Sequence, residues 1–213
     1  MPAPLILASA SRSRRQLLTN AGLSFEVEPS GVDEDEVTRS LLGERASPQD
    51  IATTLAEMKA VRVSSRHAAA MVIGADSTLA CNGRLFDKPA TLAAARRQLL
   101  ALAGQTHELC SSVVVAQGGV RLWHWSERGR LTMRPFTESF LDAYLARAGE
   151  AVCASVGAYQ LEGLAPISST RSRATTSPSS ACRCCRCSAS WRSMASAWSK
   201  RHEPLRQTPG RSA

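Results

Sequence analysis

Ser9, Ser11, Ser13 and Arg14 stand in "LILASASRSRR", where a short apolar run gives way to a helical pattern. The free N–H groups and positive dipole end of a helix start suit a phosphate, and a guanidinium adds a two-pronged donor. The same serines also read as ordinary helix caps. Asp76 follows the apolar "VIGA" at the predicted end of a strand, the place where open α/β sheets put their chemistry; its other reading is a turn aspartate. Asp33, Glu34, Asp35 and Glu36 form an acidic run whose plain reading is a solvated loop. Together with Asp76, one or two of them could hold Mg²⁺, a hard cation that takes few carboxylates and shares its shell with substrate phosphates. Lys59 and Lys88, surface lysines by default, would complete a polyphosphate site beside those carboxylates and Arg14.

The elements that must position these residues follow from periodicity. "PLILAS" predicts a strand and loop, and Leu17, Leu18 and Ala21 share a helical face that Gly22 is placed to end. After the acidic loop, "SPQDIATTLAEMKAVRVSSR" predicts a helix capped by Ser47, with Ile51, Leu55, Met58 and Val61 at helical spacing and Lys59 at the border of that face. A buried strand is predicted from Met71 to Gly74, then a turn at Asn82 and Gly83. "TLAAARRQLLALAG" is a helix stopped by Gly104, and two strands turn at Gly118 and Gly119. Thr137 caps another helix, and "AVCASVGAYQLEG" is expected to return as strand and loop. The alternation is that of an α/β domain.

Charge divides the chain. Residues 164–213 carry nine Lys/Arg and one acidic residue, Glu203, whereas residues 1–163 carry 17 of each sign, so the whole +8 excess lies in the tail. A basic isoelectric point would ordinarily point to nucleic acid or an anionic membrane, but that inference fails for the neutral body. There is no apolar run of membrane-spanning length, and the arginines near the start follow the apolar run rather than precede it, the reverse of a secretory leader. The expected location is the cytoplasm, with Cys81, Cys110 and Cys153 as structural reduced thiols.

"LILASASRSRRQLL", "GVDE", "LAEMKA", "VIGADSTL", "FDKPA", "LTMRPF" and "GAYQLEG" occur in the order and at the spacings of one family, so that residues 5–163 resemble the Maf-like nucleoside triphosphate pyrophosphatases. The resemblance implies a mixed, largely open twisted α/β sheet flanked by helices, with an active-site cleft of the Maf/inosine-triphosphatase kind. It implies hydrolysis of a nucleoside triphosphate, canonical, non-canonical or modified, to the monophosphate and pyrophosphate with a divalent metal, Mg²⁺ or Mn²⁺. It puts the catalytic proton acceptor at Asp76, with a metal-ligand role for Asp76 and Glu34 open. Lys59 and Lys88 fall on the other polar active-site positions, and Ser9, Ser11 and Arg14 on the phosphate-binding loop. Ser13, Ser77 and Glu162 occupy the positions that distinguish the family's branches: Glu162 resembles the 7-methyl-GTP branch, whereas Ser13 and Ser77 match neither that branch nor the dTTP/UTP branch. The implied partner is the nucleotide, with no nucleic acid or membrane, and a homodimer is left open. The alternative function is a non-catalytic regulator of septum formation acting by binding; an inosine-triphosphatase type of pyrophosphatase is a second enzymatic reading.

The division into domains is expected at Gly163. Residues 1–163 form the pyrophosphatase domain without its C-terminal elements, and residues 164–213 a basic Ser/Arg/Cys-rich tail with no sustained period, expected to be disordered. Cys182, Cys184, Cys185 and Cys187 lie too close together to surround a zinc ion without a sharply folded loop, and no motif supports a nucleic-acid arm. Written in GC-rich codons, "CRCCRCS" shifted by one base becomes Leu-Pro-Leu-Leu-Pro-Leu-Leu, the run with which family members end. The tail is therefore read as a change of frame at or just after Gly163, with impaired activity as its expected consequence.

Overall fold

The apolar run at Leu5–Leu7 forms the first strand, β1, which lies between two parallel neighbours, β2 (Glu26–Val27) and β3 (Met71–Cys81). The structure, a computed structural model, describes residues 3–159 and the backbone of 168–169. β3 continues antiparallel to β5 (Thr106–Gln117), and β5 to β6 (Val120–Met133) through a turn in which Gly118 and Gly119 both take positive φ. The short strand β4 (Arg84–Phe86) folds back on the end of β3, and β7 (Ser168–Ser169) pairs with Thr132 and Met133. The order is β2-β1-β3-β5-β6-β7 with β4 on β3: a mixed, open sheet in an α/β fold.

Helices cover both faces. On one lies α3 (Pro48–Ser64), which receives the even-numbered side chains of β3; Val72 joins Val63 in an apolar cluster with Ile6, Ala8 and Ala70. The odd-numbered side chains point the other way. There Ile73 and Ala75 pack with Leu7, Val113, Val115 and Leu18 of α1 (Arg12–Asn20). Further along the same face, Leu79 joins Leu99 and Leu102 of α4 (Leu92–Leu102) and Leu141, Tyr144 and Leu145 of α5 (Glu138–Ala148). One face of the sheet thus carries two separate apolar clusters, each fully buried Leu contributing about 1.5–3 kcal/mol.

Three expectations are corrected. The acidic run is not a loop: Asp33 caps α2 (Glu34–Gly43), accepting from the Glu36 N–H at 3.0 Å, and Glu34, Asp35 and Glu36 fill the first turn, where the helix dipole favours them. The strand at "MVIG" does not end before Asp76 but runs to Cys81, because β5 pairs with it from Val72 to Ala80. "AVCASVGAY" is not a strand; it forms 3₁₀ turns at Gly149–Ala154 and Val156–Ala158. The helices predicted at Ser47, before Gly104 and after Thr137 are present, as is the Asn82–Gly83 turn with both φ positive. Cys81, Cys110 and Cys153 are free thiols. Among the described residues no helix is long and apolar enough to cross a membrane. The tail from residue 170 onward and the proposed frame change lie outside the described residues.

Candidate active site

α3 is fixed before its lysine is placed. Ser47 and Asp50 form a reciprocal capping box, Pro48 occupies the first turn, and the Thr78 hydroxyl of β3 donates to the Pro48 carbonyl at 2.7 Å. Midway along, Gly74 lets the helix approach: a Cβ there would lie 2.2 Å from the Ala56 carbonyl oxygen and 2.7 Å from the Ala60 nitrogen. Lys59, expected at the border of the helix's apolar face, is buried and pressed onto the sheet. Its ammonium donates to Asp76 Oδ1 at 2.5 Å and pairs with Glu34 Oε1 at 2.8 Å. The Lys59 and Asp76 side chains are 4% and 8% exposed, and that of Glu34 46%, so the cluster is buried at one end and open at the other.

Charge converges on this point from four elements. Burial pulls the Arg14 guanidinium below its ordinary value, against the opposing fields of Asp76 and Glu34. Burial would raise the Glu34 carboxyl, but the hydrogen bond and charge of Lys59, then the charges of Lys88 and Arg14, hold it below the usual carboxylate range. Lys88, whose own side chain is exposed, adds its positive field at Glu34. Arg14 is anchored through Nη1 to Ser9 Oγ at 3.1 Å. The Ser11 hydroxyl caps α1, and Ser13 Oγ lies 3.0 Å from Ser11 Oγ.

Strand pairing opens the sheet here. β1 accompanies β3 only as far as Ile73, and β4 joins it only from Leu79. On that edge Gly74–Thr78 has no strand partner among the described residues, although the opposite edge is continuously paired with β5. Asp76 and Ser77 lie in this gap, next to the C-terminal end of β1, where open α/β sheets bind ligands.

Ser9, Arg14, Glu34, Lys59, Asp76 and Lys88 are thus brought together. Ser77 points to the opposite face from Asp76, where its hydroxyl lies 3.0 Å from that of Ser111. Glu162 lies outside the described residues. Sequence reading missed a hydroxyl triangle beside Asp76: Thr53 Oγ1 is 2.9 Å from both Ser112 Oγ and Ser126 Oγ, which are 2.8 Å from each other, and Ser112 is the cross-strand partner of Asp76. No local pattern marks three hydroxyls drawn from a helix and two strands.

Carboxylate oxygens are the hard donors that a divalent cation takes. Glu34 and Asp76 present theirs on either side of the Lys59 ammonium, and among the described residues no group of three or more His, Cys, Asp or Glu could hold a metal. Two carboxylates with the rest of the shell left to phosphates is the pattern expected of a Mg²⁺-type ion.

The chain is 54% identical over 159 residues to a nucleoside triphosphate pyrophosphatase of Paramagnetospirillum magneticum, a match covering 75% of this chain and 82% of that protein. It is 50% identical to one of Caulobacter vibrioides (75% and 79% covered) and 46% identical to a 7-methyl-GTP pyrophosphatase of Rhizobium etli (76% and 82% covered). The Maf-like protein profile matches residues 4–176, a span that contains every residue of the Lys59 cluster. The chain belongs to the Maf-like protein family.

Proposed function

We propose that this protein hydrolyses a nucleoside triphosphate to the monophosphate and pyrophosphate at the Lys59 cluster. The carrying observation is that one buried ammonium joins Asp76, on the open edge of β3, to Glu34, within the fields of Arg14 and Lys88. The names of the relatives support the reaction class. In this reading the Asp76 carboxylate accepts a proton from water as its oxygen attacks the α-phosphorus, and the bond to the bridging oxygen breaks with its electron pair leaving on pyrophosphate. Arg14, Lys59 and Lys88 offset charge on the phosphates, and the Ser9–Ser13 segment binds them through hydroxyl and backbone N–H groups. Glu34 and Asp76 would hold a Mg²⁺ or Mn²⁺ ion. What such an ion supplies is neutralisation of charge on the phosphate oxygens.

Ser13, Ser77 and Glu162 are proposed to contact the nucleoside, and residues 1–163 to form the catalytic domain. The tail is proposed to be a frame-shifted product that impairs activity. The test is pyrophosphate release from a panel of triphosphates with Mg²⁺ or Mn²⁺, comparing the chain with Asp76→Asn. Release that falls about 10²–10⁴-fold in the variant supports the reading; no release from any triphosphate by a folded, frame-restored protein refutes it.

A further inference from the structure

The two apolar clusters on the α1 side of the sheet do not meet. Between the rung that carries Ala75 and Val113 and the rung that carries Leu79 and Leu109, strand register places Ser77, Ser111 and Glu127 side by side across β3, β5 and β6. Cross-strand partners share a face, and the 3.0 Å contact between the Ser77 and Ser111 hydroxyls shows that these two do. All three residues are half-buried, so the rung is neither sealed in the core nor fully in solvent. Among the described residues Glu127 has no hydrogen-bond or ion-pair partner, unlike Glu28, Glu57, Glu108 and Glu138. Its neighbours on that face of β6 are Trp125, 49% exposed, and Gly129, where an added Cβ would meet nothing closer than 3.9 Å. A half-buried, unpartnered carboxylate on a strand face flanked by an exposed tryptophan at one neighbouring position and a glycine without a side chain at the other can receive a flat polar group.

Position connects this rung with the phosphate site. Ser77 adjoins Asp76 in the unpaired gap of β3, so a nucleotide with its phosphates at the Lys59 cluster can cross that edge and lay its base along the rung. At the usual strand spacing Glu127 lies roughly 10 Å from Ser77, across two strands. A carboxylate accepts two hydrogen bonds side by side. Uracil and thymine present a single N–H flanked by carbonyl oxygens, which would face that carboxylate acceptor to acceptor. A 2-amino-6-oxopurine presents an amide N–H beside an exocyclic amine, matching both oxygens.

We propose that Glu127 is a specificity-determining residue that reads the N–H and amine edge of a guanine-type base, with Trp125 as the wall on which the base stacks. This rests on the pyrophosphatase reading of the neighbouring site. The test uses the full chain, with pyrophosphate release from GTP, ITP and UTP as one readout and calorimetric binding of α,β-methylene-GTP and α,β-methylene-UTP as the other. GTP is expected to exceed ITP, which lacks the amine, by at least about tenfold in kcat/KM. Glu127→Gln places an amide donor against a donor and should bring that ratio close to one, Glu127→Asp should restore part of it, and Trp125→Ala should weaken binding of the methylene analogue of GTP. A GTP-to-ITP ratio unchanged in Glu127→Gln, equal losses for all three nucleotides, a wild-type preference for UTP, or no nucleotide binding at all would each overturn the assignment. Binding without hydrolysis would instead defeat the catalytic reading, and the effect of Glu127→Gln on analogue affinity would still decide the role of Glu127.

Discussion

Gly74 touches the Ala56 turn of α3 so closely that the helix can occupy its position only because residue 74 has no side chain. The two atoms that a Cβ would meet first are backbone atoms, which cannot swing aside as a side-chain tip can. Gly74→Ala is therefore expected to push α3 off β3, with a loss of about 1–3 kcal/mol for overpacking. Because Lys59 rides on that helix, turnover should fall together with the melting temperature. Thermal melts and steady-state rates check this; a variant with unchanged melting and full turnover would show that the close approach does not position the lysine.

Lys59 and Asp76 are both buried, so removing either charge is not equivalent. Lys59→Met leaves Asp76 buried without its ammonium, at an expected cost of about 3–5 kcal/mol. Asp76→Asn leaves Lys59 paired with Glu34 and should be milder for stability while being severe for activity. Adding Asp76→Asn to Lys59→Met should recover part of the lost stability. Chemical denaturation of the two single variants and the double variant measures the coupling directly.

Two groups set separate windows of pH dependence. Glu34 is held below its ordinary 4.5, so its contribution is complete above that pH and is lost as pH falls through the lower folded value. His107, fully buried, donates to or accepts from the Tyr159 hydroxyl at 2.6 Å, and burial holds it below its ordinary 6.5 against the opposing effect of the Gln105 backbone. The folded protein therefore binds fewer protons there than the unfolded chain, and stability should decline as pH falls below 6.5 toward the folded value. Melting temperatures from pH 8 down to about 2 should show both declines, with Glu34→Gln removing the acidic one and His107→Gln flattening the milder one.

The proposed frame change predicts a gain on repair. In that reading, restoring the alternative frame after Gly163 replaces a tail that lacks an apolar period with the leucine- and proline-rich run that the shifted codons of "CRCCRCS" encode. If that ending covers 400 Å² of apolar surface, its burial is worth on the order of 10 kcal/mol. The repaired protein should melt higher and turn over faster than the 213-residue chain. Equal melting and equal turnover would show that the tail is tolerated.

Much of this architecture was legible because the local signals were strong. Ser47, Gly104, Thr137, Asn82–Gly83 and Gly118–Gly119 each act through their own few residues. α2 was not legible: it buries none of its residues, so no apolar stripe distinguishes its acidic first turn from a solvated loop. The length of β3 was hidden because Asp76 and Ser77 interrupt its apolar run, and what keeps them in a strand is β5, more than thirty residues away. Asp76, Glu34 and Lys59 could be named from their motifs, but their convergence on one ammonium is a tertiary fact that rests on Gly74 as much as on the charged residues. The Ser77–Ser111–Glu127 rung had no sequence signature, since it exists only in the register of three strands.

The central claim is that water attacks the α-phosphorus under Asp76. It is tested most directly by hydrolysis in ¹⁸O-labelled water, followed by mass spectrometry of both products. The account predicts one ¹⁸O in the nucleoside monophosphate, none in pyrophosphate, equal amounts of the two products, and a rate at least about a hundredfold lower in Asp76→Asn. The position of the label does not depend on how fast the chain turns over. Label in pyrophosphate, release of orthophosphate and diphosphate instead, or an undiminished rate in Asp76→Asn would contradict it.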